Sequence, residues 1–340
     1  MRNCVIAKRI LLIALLATVA ASAQQPAASP SPQQPSIRTE SNLVLIPTLV
    51  RDAGTHAVLG LKASDFVVED DGVPQTIRLD EAADPQPVSM VLAIQTGRTA
   101  AAEFPRIRTL ASMLNPLLEA GQLKLAIVEF DSQVNLIQDF TTQSYIVEHR
   151  LKNMKAGDDG ASILDAVNLS VDLLSKVPKD RQRVLLLISE TRDHGSQAPL
   201  DGVISSVALN NTLIYSLAFS PSLSNVLDDA RGNSVQEGQE LNVALLAQRL
   251  MIMSVQAMRK NVPKTIAEMT GGEYELFKSH KGFESRMVEF SNHLYSRYLL
   301  SFEPKDPHPG LHSIRVRLAD PARGSAIART TYWVGPQPVE

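Results

Sequence analysis

The sequence predicts a three-layer α/β fold with a doubly wound, mainly parallel sheet, joined to a second β domain that both chain ends build. Residues 88–94 carry no charge, as a strand covered on both faces of a parallel sheet requires. From there to residue 296, strand and helix patterns alternate, whereas the segments before and after contain strand patterns alone. These observations indicate a helix-covered sheet with a separate β unit beside it.

The first 23 residues have the features of a secretory signal peptide. Three basic residues precede the apolar run 10–20, and Ala-Ser-Ala at 21–23 fits the small-x-small cleavage pattern. We expect cleavage before Gln24, with an uncleaved membrane anchor as the alternative. Residues 24–36, rich in Gln, Pro and Ser, are interpreted as a flexible linker.

Composition narrows the classes of function. The single cysteine, Cys4, precedes the apolar run, so the mature chain would have no disulfide, thiolate metal site or cysteine nucleophile. Losing the three basic residues changes the formal net charge from −3 to about −6, without any polybasic patch, which argues against nucleic acid. We expect a secreted, periplasmic or cell-envelope protein that does not span the membrane once the signal is cleaved.

Residues 37–84 are predicted as an N-terminal β segment. Its strand patterns cover residues 43–51, 66–70 and 75–80. Asp71-Gly72 is a turn signal, and Pro47 favours an edge position for the first strand. Three short strands make a weak core alone, so they need partners from elsewhere in the chain.

Residues 85–296 are predicted as the α/β domain. Its strands are expected at 88–94, 123–130, 133–139, 184–189, 213–219 and 273–277, and its helices at 107–118, 143–154, 163–174, 200–209, 241–260, 263–269 and 283–294. The link Asp131-Ser132 is so short that the second and third strands must pair antiparallel, which gives one antiparallel edge strand. Residues 221–240 are interpreted as a polar loop, and Gly271-Gly272 as a helix C-cap rather than a phosphate loop.

Residues 297–336 return to strand patterns, at 298–302, 313–318 and 328–334. The start of the first strand of the α/β layer and the end of its last helix should lie on the same side of the sheet. The flanking segments therefore emerge close together, and we expect them to form one β-sandwich-like accessory domain.

Several short motifs occur in a shared order over about residues 38–335. They are Asn42–Pro47, Asp65-Phe66 with Glu69–Gly72, Pro74-Gln75, Gly160–Ala166, Thr270–Gly272 and Tyr298–Leu300. In these motifs the mature chain resembles the bacterial secreted group of acidobacterial VWFA-related proteins. The order of elements in residues 85–296 likewise resembles a von Willebrand factor type A domain. The resemblance implies an A-domain/Rossmann-like sheet and a protein-binding or adhesion function.

The resemblance also implies where a metal-ion-dependent adhesion site would lie. Intact members carry Asp-x-Ser-x-Ser after the first strand, with a Thr and an Asp from two further loops, and Mg²⁺ is held by their oxygens. Laid onto this chain, the Asp position is Gln95, the Ser positions are Gly97 and Thr99, the Thr position is Ser162, and the third-loop Asp position is Glu190.

This set is a degenerate metal site. Gln95 is neutral and Gly97 has no side-chain ligand, so the anionic count falls from two to one. One pair of unit charges about 4 Å apart is worth about 4 kcal/mol at an effective dielectric of about 20, so the loss weakens cation binding strongly. We therefore expect no cofactor at this site.

Other acidic residues leave a cation-dependent alternative open. Asp193 lies near Glu190, and Asp158-Asp159 precede Ser162, so Mg or Ca could bind a remodelled set of Glu190, Asp193 and Asp159. The favoured interpretation is that these aspartates cap helices and turns.

The leading hypothesis is a secreted, non-enzymatic module that binds a protein or an extracellular surface ligand without metal. Cation-dependent adhesion is the first alternative. An extracellular hydrolase with His194 as base beside Ser162 is the second, although no Gly-x-Ser-x-Gly elbow is present. The seven histidines are not expected to include a metal-binding pair. The sequence leaves the oligomeric state open.

Overall fold

The computed structural model describes residues 43–80, 86–219, 243–305 and 307–335. The predicted signal peptide, the linker 24–36 and the loop 221–240 lie outside the described residues. Among the described helices, none is both long and apolar enough to span a bilayer.

The described residues form fourteen strands and eight α-helices. The strands are β1 Val44–Arg51, β2 Phe66–Asp70, β3 Val73–Pro74, β4 Arg78–Asp80, β5 Val88–Gln95, β6 Leu123–Phe130, β7 Val134–Thr141, β8 Gln182–Ser189, β9 Thr212–Ala218, β10 Tyr274–Leu276, β11 Tyr298–Phe302, β12 Gly310–Leu318, β13 Ser325–Ala328 and β14 Thr331–Val334. The helices are α1 Phe104–Ile107, α2 Leu110–Glu119, α3 Ser144–Lys152, α4 Ile163–Ser175, α5 Leu200–Leu209, α6 Val243–Lys260, α7 Val262–Thr270 and α8 His280–Leu294.

The central sheet has six strands in the order β10-β9-β8-β5-β6-β7. Its pairings are parallel except for β7, which runs antiparallel to β6. The predicted doubly wound sheet with one antiparallel edge strand is confirmed. The short link, which covers residues 131–133 in the structure, is the cause, since only a hairpin fits so short a connection.

Strand β5 lies in the middle of this sheet, between β8 and β6, and all eight of its residues are buried. Met90, Leu92 and Ile94 join a core with residues of α1, α2, α3 and α8. Val91 and Ala93 point to the opposite face, into a core with residues of α4, α5, α6 and α7. Apolar layers on both faces explain why the strand carries no charge.

Both chain ends contribute to two further antiparallel sheets, in the orders β13-β1-β11-β4 and β14-β12-β2-β3. A third apolar core joins them: Ile46 and Phe302 come from the first sheet, and Val68, Ile314 and Tyr332 from the second. The two sheets therefore pack as a sandwich, and the predicted β-sandwich-like accessory unit is confirmed.

Two details of this sandwich differ from the sequence prediction. Strand β1 is interior rather than at an edge, but its two halves have different partners. Its first half, with Pro47, pairs only with β11, and pairing with β13 begins at Thr48. A proline without an N–H is tolerated there because one side of the strand is unpaired.

The single strand expected over 328–334 is wrong, because the chain crosses from one sheet to the other at Arg329-Thr330. The buried guanidinium of Arg329 donates to the carbonyls of Thr331 at 3.0 Å and Ala208 at 2.8 Å, which holds the crossing in place. Burial lowers the pKa of Arg329 to about 10.

The turn after α7 packs closely against the sandwich. Gly271 is the left-handed C-cap of α7, with φ of 78°, as the sequence predicts. A Cβ on Gly271 would lie 2.4 Å from the Arg329 nitrogen, so this position requires glycine for conformation and for space.

A buried ion network also joins the α/β layer to the sandwich. The Glu273 carboxylate accepts from Arg51 of β1 at 3.1 Å, from the His293 Nδ1 at 2.9 Å and from Arg297 at 3.5 Å. Arg297 also donates to the Tyr215 hydroxyl at 2.9 Å, and burial raises the pKa of Tyr215 to about 12. Glu273 is thus the common partner of three cationic or titratable side chains.

We expect Glu273→Ala to lower the free energy of unfolding by about 3–5 kcal/mol, because it leaves the buried Arg297 guanidinium without its carboxylate. Glu284→Ala is the matched control: its carboxylate makes an exposed pair with His280, worth less than about 1 kcal/mol. Urea unfolding of both variants measures the difference. Equal losses would show that the network does not join the two units energetically.

Candidate functional site

The carboxyl ends of β5 and β8 are adjacent, and three loops meet there: residues 95–99, 157–162 and 190–196, which we call the carboxyl-edge loops. Gln95 is the last residue of β5, Glu190 follows β8, and Ser162 is the N-cap residue of α4. Parallel neighbours end at the same edge of a sheet, so the residues chosen from the sequence lie in one region.

The side chains of Gln95 and Glu190 form the buried centre of these loops. The Gln95 amide uses both of its ends: Oε1 accepts from the Glu190 backbone N–H at 2.8 Å, and Nε2 donates to Glu190 Oε1 at 3.1 Å. Nε2 also lies 3.3 Å from the Thr99 hydroxyl, which accepts from it. A carboxylate at this position could accept the backbone N–H but could not donate to Glu190.

Glu190 has a second partner in the same loop. Its Oε1 lies 2.6 Å from His194 Nε2, and the imidazole is half-exposed at the rim while the carboxylate is buried. Groups of this chain therefore contact the only carboxylate among the five positions that the resemblance indicates.

Gly97 is fixed by close packing against the neighbouring loop. A Cβ there would lie 2.5 Å from the Gly160 carbonyl oxygen. Backbone hydrogen bonds hold the loops together, from Arg98 N to the Asp158 oxygen at 2.7 Å and from Gly157 N to the Thr96 oxygen at 2.8 Å. A serine at position 97 would not fit unless these loops separated.

Ser162 lies near this group but does not join it. Its N–H donates to the Asp131 carbonyl at 2.8 Å, whereas its buried hydroxyl has no hydrogen-bond partner among the described residues. The Nε2 of His194 contacts Glu190, not Ser162. The described residues therefore do not form the nucleophile–base hydrogen bond that the hydrolase alternative requires.

Asp193 and Asp158 of the cation alternative hold a helix end and a turn, whereas Asp159 forms an ion pair. Asp193 Oδ1 accepts from the Leu164 N–H in the first turn of α4, at 3.1 Å. Asp158 accepts from the Ser132 hydroxyl and from the N–H of Gly160, and these hydrogen bonds lower the pKa of its carboxyl. Asp159 makes an exposed ion pair with Arg98 at 3.0 Å.

The structure also brings together a group that the sequence interpretation missed. Asp71, His308 and His312 each offer a ligand atom within 4.8 Å of the others. The expectation that no two histidines have metal-ligand spacing is wrong, because His308 and His312 have the His-x-x-x-His pattern. His308 and His312 are four residues apart, a spacing visible in the sequence, although Pro309 and Gly310 make the pair meet through a turn instead of a helix.

His312 is buried beside two carboxylates. Burial disfavours its imidazolium form, but Asp70, Asp71 and the His308 carbonyl outweigh that effect and raise the pKa of His312 to about 10. Burial also acts on Asp71, yet contacts with His312 and Ser313 lower the pKa of its carboxyl below the usual range.

No protein-family model matches the chain, and no curated protein matches it. Solved structures similar to it include BatB from Bacteroides thetaiotaomicron, with 12% identity, a TM-score of 0.39 and coverage of 60% of this chain and 97% of that chain. An aerotolerance-related membrane protein from Bacteroides fragilis has 15% identity and a TM-score of 0.39, with coverage of 61% and 98%. The vWF domain of the type V pili tip protein Mfa5 from Porphyromonas gingivalis has 13% identity and a TM-score of 0.29, with coverage of 32% and 40%.

The strand order, the antiparallel β7 and the helices on both faces define the class of fold: a doubly wound α/β domain with one antiparallel edge strand, as the resemblance to von Willebrand factor type A domains implies. The loops that follow β5 and β8 lie at the edge where open α/β sheets bind ligands.

We expect Gln95→Glu to destabilise the protein by about 1–3 kcal/mol more than Gln95→Met at pH 7.5. Both variants lose the amide donor, but only the first buries a second carboxylate beside Glu190. The introduced carboxylate would have a folded-state pKa above its unfolded value, so the extra loss is present at high pH and shrinks as the pH falls through that raised pKa.

Urea unfolding of both variants between pH 5 and 7.5 measures this difference. An equal loss at every pH would contradict the contact between the position-95 side chain and Glu190.

Proposed function

We propose that this chain is an extracytoplasmic, non-enzymatic binding module whose carboxyl-edge loops contact a protein or an extracellular surface ligand without a metal ion at that edge. The observation that carries the proposal is the Gln95–Glu190 hydrogen-bond pair, in which a neutral amide satisfies a buried carboxylate. The signal-peptide features of residues 1–23 support export.

Metal-independent binding is supported by charge and by space. Glu190 has hydrogen-bonding partners in Gln95 and His194, so a cation entering this position must displace contacts of the protein. The contact of Gly97 with Gly160 leaves no room for a side-chain ligand at position 97. This arrangement does not offer the near-octahedral oxygen coordination that Mg²⁺ needs.

The rim of these loops supports the choice of contact surface. The exposed Arg98–Asp159 ion pair and the half-exposed His194 ring surround the buried Gln95–Glu190 pair. Polar and charged groups held on tightly hydrogen-bonded loops provide a preorganised surface, and preorganisation lowers the entropic cost of binding.

A photo-crosslinking amino acid at Arg98 tests the surface in the native envelope. We expect it to give adducts with a discrete partner. Lys176 is the matched control, because it is equally exposed but lies at the opposite end of α4 from Ser162. Adducts of the same partner from both positions, or from Lys176 alone, would refute the proposed surface.

Calorimetric titration separates this proposal from cation-dependent adhesion. We expect no saturable heat from millimolar Mg²⁺ or Ca²⁺, because Glu190 already has two protein partners and the three aspartates of the loops are held by their own contacts. The titration is repeated in the His308→Ala variant, so that any heat from the Asp71–His308–His312 group is not attributed to the loops. Saturable heat that persists in this variant and disappears in Glu190→Gln would establish the cation-dependent alternative.

A further inference from the structure

We propose that Asp71, His308 and His312, with Asp70 beside them, form a binding site for a divalent transition metal of the zinc class, in the sandwich. The site lies in the β14-β12-β2-β3 sheet, away from the carboxyl-edge loops. It therefore goes beyond the proposed binding function and does not depend on it.

The fold holds Asp71 with one oxygen facing the histidines. Asp71 occupies the turn after β2 with a φ of 48°. Its Oδ1 accepts from the backbone N–H of Ser313 at 2.8 Å and from the Ser313 hydroxyl at 3.0 Å. Its Oδ2 remains directed at His312 Nδ1, at 2.8 Å, and at His308 Nε2, at 3.4 Å.

These separations suit a shared metal ion. Two ligand atoms that bind zinc at about 2.0 Å with a tetrahedral angle lie about 3.3 Å apart. Asp71 Oδ2 lies 2.8 Å from His312 Nδ1 and 3.4 Å from His308 Nε2, so one separation is below that value and the other is above it. His312 Nδ1 lies 3.7 Å from Asp70 Oδ1. The stacked rings of His308 and His312, 3.9 Å apart, require a tilt of the partly exposed His308 ring for both nitrogens to reach one ion.

Asp70 gives an independent indication of a ligand. Asp70 is only 8% exposed, yet its Oδ1 has no hydrogen-bond partner among the described residues. Its other oxygen accepts from the Tyr332 hydroxyl at 2.9 Å, which fixes the orientation of the carboxylate. A buried carboxylate oxygen without a hydrogen bond is costly unless a cation satisfies it.

The contacts of the His312 ring leave Nδ1 as the nitrogen that faces the carboxylates. Its Nε2 lies 2.7 Å from the His308 carbonyl oxygen, which can only accept, so Nε2 carries the proton. Its Nδ1 is close to Asp71 but is not aligned for a hydrogen bond. The ring is stacked between His308 and Tyr332, so its orientation is fixed as outer contacts fix metal-binding histidines.

The donor set selects the class of ion. Two imidazole nitrogens with one or two carboxylate oxygens suit Zn²⁺ and its first-row neighbours. Mg²⁺ and Ca²⁺ prefer oxygen ligands alone and are disfavoured. The competing explanation is an imidazolium–carboxylate ion pair without metal, and the experiment distinguishes the two.

A metal here would connect the two ends of the chain. Asp70 ends β2 and Asp71 follows it, whereas His308 precedes β12 and His312 lies near its start. The Ser313–Asp71 contact already joins residues 242 positions apart. A metal that bridges so long a loop stabilises the folded state by restricting the unfolded one. With its only cysteine at position 4, the mature chain would have no disulfide to serve this purpose.

Titration of the chelator-treated full chain with Zn²⁺ tests the site, with Co²⁺ as a spectroscopic probe. We expect one equivalent of Zn²⁺ to bind and raise the melting temperature, and Co²⁺ to give the visible absorption of a tetrahedral nitrogen–oxygen site. His308→Ala should weaken zinc binding about tenfold or more and abolish the melting shift. His280→Ala is the matched control, since His280 is exposed and pairs with Glu284 outside the site.

His308 is the chosen position because its partly exposed ring can be removed without emptying the buried core. Circular dichroism of the metal-free variant checks that it folds, and Asp71→Asn is the second variant if it does not. Absence of saturable zinc binding, or equal affinity in His308→Ala and the unmodified chain, would overturn the proposal and leave an ion pair only. Crosslinking from Arg98 is expected to persist in His308→Ala, so failure here is distinguishable from failure of the binding function.

Discussion

Burial of β5 on both faces is the constraint on which the rest of the structure depends. Its eight residues lie between β8 and β6, with helices against each face, so no charged side chain can be accommodated along them. The backbone of β5 is consequently held by hydrogen bonds on both sides. The carboxyl end of the strand is fixed in space, and Gln95 is presented at a defined point at the edge of the sheet.

At that point, the chemistry of the amide decides the character of the site. An amide both donates and accepts, so Gln95 pairs with the side chain and the backbone of Glu190 at once. A carboxylate in its place would leave two like charges facing each other in a buried setting. Close packing of Gly97 against Gly160 also holds these loops together.

The sandwich has a different origin, because neither chain end can form it alone. The strand that enters the α/β layer and the helix that leaves it lie on the same side, so β1 pairs with β11 and β2 pairs with β12. Glu273 and Gly271 then join this sandwich to the helical layer. The Asp71–His308–His312 group depends on the same pairing, since its members come from the two ends.

The sequence by itself determined the class of the fold, because a strand buried on both faces must lack charge and a link of two or three residues must form a hairpin. It also located Gln95, Thr99 and Glu190 in one region, since neighbouring parallel strands end at one edge. Only the tertiary structure decided which groups touch. The split of residues 328–334 between two sheets, the interior place of β1, and the meeting of Asp71 with His312 all depend on partners distant in the chain. Local patterns specify periodicity and turns, whereas such contacts arise from packing of the whole chain.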